Sequence, residues 1–76
     1  MAHLTSAEAA DLLERFRTYL REHRLPVTQQ RDHVAGAVFT SPDHLTAAAV
    51  HQRLSREGRR VGIATVYRTL ELLVES

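Results

Sequence analysis

The 76-residue chain has no cysteine and, although ten of its residues are basic, no lysine. Without cysteine there can be no disulfide staple and no thiolate zinc site. No apolar run is long enough for the core of a signal peptide or for a membrane span. The expected partners therefore include no membrane, and the expected location is the cytoplasm. No internal repeat, low-complexity stretch or convincing hairpin occurs. No nucleophile is spaced against a base, and no glycine-rich phosphate loop is present, so no enzyme is expected. A chain this short hides only about 60 % of its unfolded surface, which leaves a thin stability margin.

Charge is present but unevenly placed. The formal net charge is only +1. Residues 1–30 hold four arginines and four acids, whereas residues 53–68 hold Arg53, Arg56, Arg59, Arg60 and Arg68 against Glu57 alone. A local cationic segment beside a neutral one suits a docking face for a polyanion. It is equally what chance clustering on a solvated surface produces.

Four helical segments follow one another, over about 6–24, 28–40, 46–57 and 63–75. Thr5-Ser6-Ala7-Glu8 has the capping-box pattern. Ala9, Leu12, Leu13, Phe16, Tyr19 and Leu20 then recur at helical spacing. Pro26 disfavours helix at Leu25 and stops this segment. Thr28 suits the N-cap of the second helix, whose apolar stripe is Val34, Ala35, Val38 and Phe39. Gly36 inside it costs about 1 kcal/mol relative to alanine unless close packing demands it. Ser41-Pro42-Asp43 is turn chemistry. Thr46 suits the third N-cap, with Ala47, Val50 and Leu54 facing inward, and Gly58 fits the left-handed position after the helix. Residues 59–62 form a short link. The fourth helix is expected to bury Ile63, Val66, Leu70 and Leu73. Leu72 and Val74 fall partly off that stripe and are expected to lack covering partners.

At about 100° per residue, Ala64, Thr65 and Arg68 point away from that stripe, with Tyr67 and Glu71 on the flanks. Such a face is small, polar, aromatic and cationic. Small residues let a helix approach the major groove closely, Thr and Ala can touch a thymine methyl, and Arg can pair with guanine O6 and N7. With the preceding helix packed across it, the pair would form a helix-turn-helix. An ordinary amphipathic surface helix fits the same pattern.

Three stretches narrow the choice: Pro26-Val27-Thr28-Gln29-Gln30-Arg31, Asp43-His44-Leu45-Thr46-Ala47, and Gly62-Ile63-Ala64-Thr65-Val66-Tyr67-Arg68-Thr69-Leu70. In order and spacing they resemble the ferric uptake regulator family, over roughly residues 10–76. The resemblance implies an all-α helix-turn-helix core of winged-helix type, here without the wing hairpin and the α/β dimerisation domain. It implies a metal-dependent transcriptional regulator that binds double-stranded operator DNA and forms a homodimer through that second domain. It places the DNA contacts on Thr28, Gln29, Arg31, Ala64, Thr65, Tyr67 and Arg68. Of these, Tyr67 and Arg68 approach bases, and Arg31 resembles a phosphate contact. It makes His44 a ligand of the regulatory divalent metal (iron, zinc or manganese), with the other ligands outside this sequence. A family cation expected just before the Val-Thr motif is replaced by Pro26, with Arg24 as the candidate substitute.

Among the other histidines, His23 and His33 are expected at exposed or helix-terminal positions. His51 is expected near the DNA-facing side of the third helix. Two other readings stay open: a small helical protein-interaction module with Leu72 and Val74 as its adhesive end, and a winged-helix regulator sensing a ligand other than metal. A DNA contact made without a wing or a second half-site is expected to be weak and mainly electrostatic.

Overall fold

The computed structural model describes residues 5–41 and 45–76. It contains four helices: α1 (Ser6–Glu22), α2 (Gln29–Phe39), α3 (Ala47–Arg56) and α4 (Ile63–Glu75). Among the described residues there is no strand. The chain is an all-α helix-turn-helix unit, α3 and α4 forming the motif and α1 and α2 bracing it.

Three of the four helices start where a side chain accepts an orphan N–H group. At α1 the Glu8 N–H donates to Thr5 Oγ1 at 3.1 Å, and the Thr5 N–H donates to Glu8 Oε1 at 2.8 Å. This reciprocal pair is a complete capping box. It holds the Glu8 carboxyl below its usual range, mainly through the Thr5 backbone hydrogen bond. Thr28 accepts from the Arg31 N–H and Thr46 from the Ala49 N–H, each at 3.1 Å. Gly62, which precedes α4, makes no side-chain cap.

The ends of α1 and α3 share one device. In α3 the N–H groups of Gly58 and Arg59 close back onto Ser55 and Leu54 oxygens, with Gly58 at φ +77°. In α1 the N–H groups of Arg24 and Leu25 close onto Arg21 and Leu20 oxygens, with Arg24 at φ 56°. Both are Schellman closures, which need a left-handed residue. This closure ends α1 at Glu22, two residues before the boundary that Pro26 alone suggests.

Helix α2 lies at the centre, packed against α1, α3 and α4. Its buried residues are Val34, Ala35 and Ala37. Val34 and Ala37 join Ala47, Val50, Leu54, Val61 and Val66 in one core cluster, with Val38, Leu45 and Leu70 at its edge. Ala35 belongs to a second cluster with Phe16, Leu20 and Leu72, edged by Leu13, Tyr19, Leu25, Phe39 and Leu73. Two adjacent α2 residues thus point into different cores, because the helix has neighbours on several sides.

The buried stripe of α4 differs from the one its own periodicity suggests. Val66, Thr69 and Leu72 are buried. Ile63 is 44 % exposed and Val74 86 % exposed, whereas Leu72 is only 1 % exposed. Leu72 therefore has its covering partners on α1 and α2, and Ile63 is not a core residue. The physical reason is that α4 serves both clusters, so its inward sector turns toward α1. Burying Thr69 is tolerable because its Oγ1 donates to the Thr65 carbonyl of its own helix at 2.7 Å, leaving no polar atom unmet.

Polar clamps join the helices. Arg17 of α1 grips Asp32 of α2 as a two-pronged pair, Nε to Oδ1 at 3.2 Å and Nη2 to Oδ2 at 2.9 Å. The Asp32 carboxylate raises the Arg17 guanidinium above its already high ordinary value. Glu14 contacts both Arg17 and Arg21, and those hydrogen bonds, Arg21's first, hold its carboxyl below the usual range. Arg53 of α3 donates to the Ala37 carbonyl and to Thr40 Oγ1, both at 3.0 Å, and pairs with Glu57 at 3.2 Å. It thereby serves a carbonyl that the end of α2 would otherwise leave without an intrahelical donor.

Two stability predictions follow from this packing. A Cβ built on Gly36 meets nothing within 4 Å, so no close approach requires glycine there. Gly36→Ala should raise the unfolding free energy by about 1 kcal/mol in a urea titration; a loss would mean that the neighbours of α2 leave no room for a methyl group. Arg53→Ala should lower it by about 2 kcal/mol, because an α2 carbonyl loses its donor. Arg60→Ala, at an exposed site, should stay within about 0.5 kcal/mol of the wild type. Equal losses for the two arginine variants would refute the clamp.

Candidate nucleic-acid interface

The link between α3 and α4 decides how the first residues of α4 are presented. After the Gly58 closure the chain passes through Val61, which is 5 % exposed and belongs to the first core cluster. Val61 anchors the link, so α4 emerges from a fixed point with Gly62 as its N-cap. By sequence alone residues 59–62 are only a connection. A lone valine between arginines and a glycine carries little periodic signal.

Beyond that anchor, the exposed side of α4 carries Ile63, Ala64, Tyr67, Arg68, Glu71, Val74 and Glu75. Tyr67 lies within this exposed side and is 59 % exposed. Thr65 is half-buried beside the core, with its carbonyl engaged by Thr69. Ile63 joins the exposed side in place of Thr65. Arg68 is exposed and lies 3.5 Å from Glu71. The N-terminal half of this face is thus apolar and aromatic with a cation at its margin, and the C-terminal half is acidic.

The residues at the start of α2 form a second, separate group. Thr28 is half-buried and its hydroxyl serves as the cap. Gln29 is exposed. Arg31 bends back, donating from Nη1 to the Pro26 carbonyl at 2.8 Å, which leaves the rest of its fork available. Although α2 and α4 pack together, no hydrogen bond or ion pair among the described residues joins this group to Tyr67 and Arg68. His44, the candidate metal ligand, lies outside the described residues.

The cationic segment is thinner in space than in sequence. Arg53 turns inward to α2, and Arg59 pairs with Glu57 at 3.6 Å. Among the described residues Arg56 and Arg60 are exposed and have no ion-pair partner. They flank the turn that leads into α4. His51 is half-buried, and His23 sits at the C-cap of α1, its Nδ1 2.9 Å from the Tyr19 carbonyl.

A groove borders the C-terminal end of this face. This open groove of about 480 Å³ runs between α1 and the ends of α2 and α4, lined by Leu12, Phe16, Tyr19, Phe39 and Leu73, with Arg15 and Ser76. At its edge the Tyr19 hydroxyl donates to Glu75 Oε1 at 3.4 Å. Partial burial, then the Glu75 carboxylate, hold this phenol above its ordinary value. Among the described residues no three His, Cys, Asp or Glu side chains are placed to hold a metal ion. None of the described helices is long and apolar enough to cross a membrane.

Residues 22–76 match the model of the ferric uptake regulator family. The chain is 40 % identical over 67 residues to the ferric uptake regulation protein of Campylobacter upsaliensis, covering 86 % of this chain and 43 % of that one. It is 34 % identical over 64 residues to the ferric uptake regulation protein of Bacillus subtilis, covering 83 % and 43 % respectively. It is 37 % identical over 49 residues to a zinc uptake regulation protein of Mycobacterium tuberculosis, covering 64 % and 38 %. No solved structure gives a significant match. The chain spans less than half the length of these curated relatives. Because the matched segment takes in the end of α1 and all of α2, α3 and α4, the chain belongs to the ferric uptake regulator family of metal-responsive transcriptional regulators.

Proposed function

We propose that this chain is the DNA-reading module of a metal-responsive regulator, with α4 lying in the major groove of double-stranded operator DNA. The observation that carries this reading is the exposed Tyr67, with Ala64 and Arg68 on the same side of a helix anchored at both ends by its core. In this reading Tyr67 and Ala64 make apolar contact with base edges, and the Arg68 fork meets guanine. Thr65, half-buried, contributes at the margin. Arg31, Arg56 and Arg60 supply phosphate contacts from either side of the helix, and Thr28 and Gln29 set the start of α2 against the backbone. The regulator acts as a homodimer on paired half-sites, as helix-turn-helix dimers do.

The relatives named for ferric and zinc uptake regulation point to a divalent metal as the signal, without choosing between them. The described residues do not fit a metal site, since a divalent ion needs three or four ligands. The metal response therefore enters through residues outside the described set, of which His44 is the candidate in this chain. The rival reading as a protein-interaction module loses Leu72, which is buried, and keeps only Val74, which is exposed.

The test is titration of the chain onto duplex DNA at several salt concentrations. Affinity should fall steeply with salt. In the full-length homodimer, Tyr67→Ala and Arg68→Ala should each reduce discrimination between preferred and random duplexes by about 1–3 kcal/mol. Arg31→Ala should weaken both duplexes alike and flatten the salt slope by about one unit. Affinity that ignores salt would remove the DNA reading. Adding iron, zinc or manganese should leave binding by the 76-residue chain unchanged. A metal-dependent gain would mean that these residues already contain a complete site.

A further inference from the structure

The exposed face of α4 holds an acid where a DNA-reading helix gains nothing from one. Glu71 follows Arg68 by one turn, its Oε1 3.5 Å from Arg68 Nη1, and the two side chains are 65 % and 51 % exposed. An ion pair this open adds little to folding. A carboxylate facing a polyanion is also repelled by it. Neither stability nor simple attraction accounts for its place beside the one cation on this face of α4.

The fork geometry of arginine does account for it. A guanidinium has five N–H donors in a fixed plane, and Glu71 engages it through a single Nη. The other donors of the fork are not engaged by Glu71, and a bidentate pair with guanine O6 and N7 needs two parallel donors. Arg68 without that restraint is a long, flexible cation that can swing to the nearest phosphate of any sequence. Held by Glu71, it is biased toward the base edge and away from the backbone. Glu75 gives the internal contrast: it lies on the same exposed side but takes its hydrogen bond from Tyr19 and has no ion pair with Arg68.

We propose that Glu71 is a positioning residue that sets sequence discrimination by aiming Arg68. The proposal rests on the DNA-reading role of α4. Its test uses the full chain, a duplex that the wild type enriches from a random pool in repeated rounds at low salt, and a scrambled duplex of equal length. Glu71→Gln should narrow the ratio of affinities for the two duplexes by roughly two- to fivefold, the range an exposed ion pair supports. It should do so mainly by tightening the scrambled one. Glu75→Gln removes the same charge from the same face, and should move both affinities by one factor and leave the ratio unchanged. In an Arg68→Ala background, Glu71→Gln should no longer change the ratio. A ratio shift of equal size for Glu71→Gln and Glu75→Gln, or one that persists without Arg68, would overturn the proposal in favour of bulk charge. An unchanged ratio in Glu71→Gln, with the wild type still preferring its enriched duplex, would overturn it while leaving the DNA reading intact. If the wild type enriches no duplex, this inference falls, and the salt dependence of binding separately decides the DNA reading.

Discussion

Everything in this small fold depends on α2 being covered on three sides. It is a short helix with no wide polar face, and its buried residues Val34, Ala35 and Ala37 are nearly consecutive. A helix packed on one side shows a single apolar stripe; this one feeds two cores. Alanine at two of those positions keeps the neighbouring helices close. The first cluster ties α2 to α3, α4 and the Val61 anchor, and the second ties it to α1 and the far end of α4. The exposed face of α4 is therefore set by contacts at both of its ends. Such a helix can offer side chains to a groove without first having to be ordered, which lessens the entropic cost of binding.

Charge is divided between holding this frame and serving its surface. Arg17 and Arg53 clamp helix to helix, the first through Asp32 and the second through the end of α2. Both are partly buried, where hydrogen-bonded pairs contribute more than they do in open solvent. Arg56 and Arg60 remain open around the turn before α4, and Arg68 remains open but restrained. A net charge of +1 thus understates the cationic character near that turn. The five-arginine segment overstates it, because Arg53 points inward and Arg59 is paired.

The capping residues were legible in the sequence because their chemistry is local. Thr5, Thr28 and Thr46 each satisfy an N–H three residues on, and Gly58 takes the left-handed turn for which glycine has no steric penalty. The end of α1 was less legible. Arg24 occupies the same kind of left-handed position as Gly58, and nothing in an arginine announces it; the Leu20 and Leu25 contacts of the second cluster hold it there. The family motif around Tyr67 and Arg68 was also readable, since it is a run of adjacent residues.

The sequence by itself determined where the helices lie, how three of them begin, and which short motifs link the chain to its family, because each depends on residues within about one helical turn. Only the tertiary structure decided which side of α4 faces outward. A helix wheel places Ile63 with Val66 and Leu70 as though one neighbour covered them all. Contact with two cores instead turns Thr69 and Leu72 inward and exposes Ile63 with Tyr67. Tertiary structure likewise decided that Arg53 is a clamp and Arg60 is not. Their side chains are chemically identical, and only the nearness of the Ala37 carbonyl and Thr40, 16 and 13 residues away in the chain, separates them.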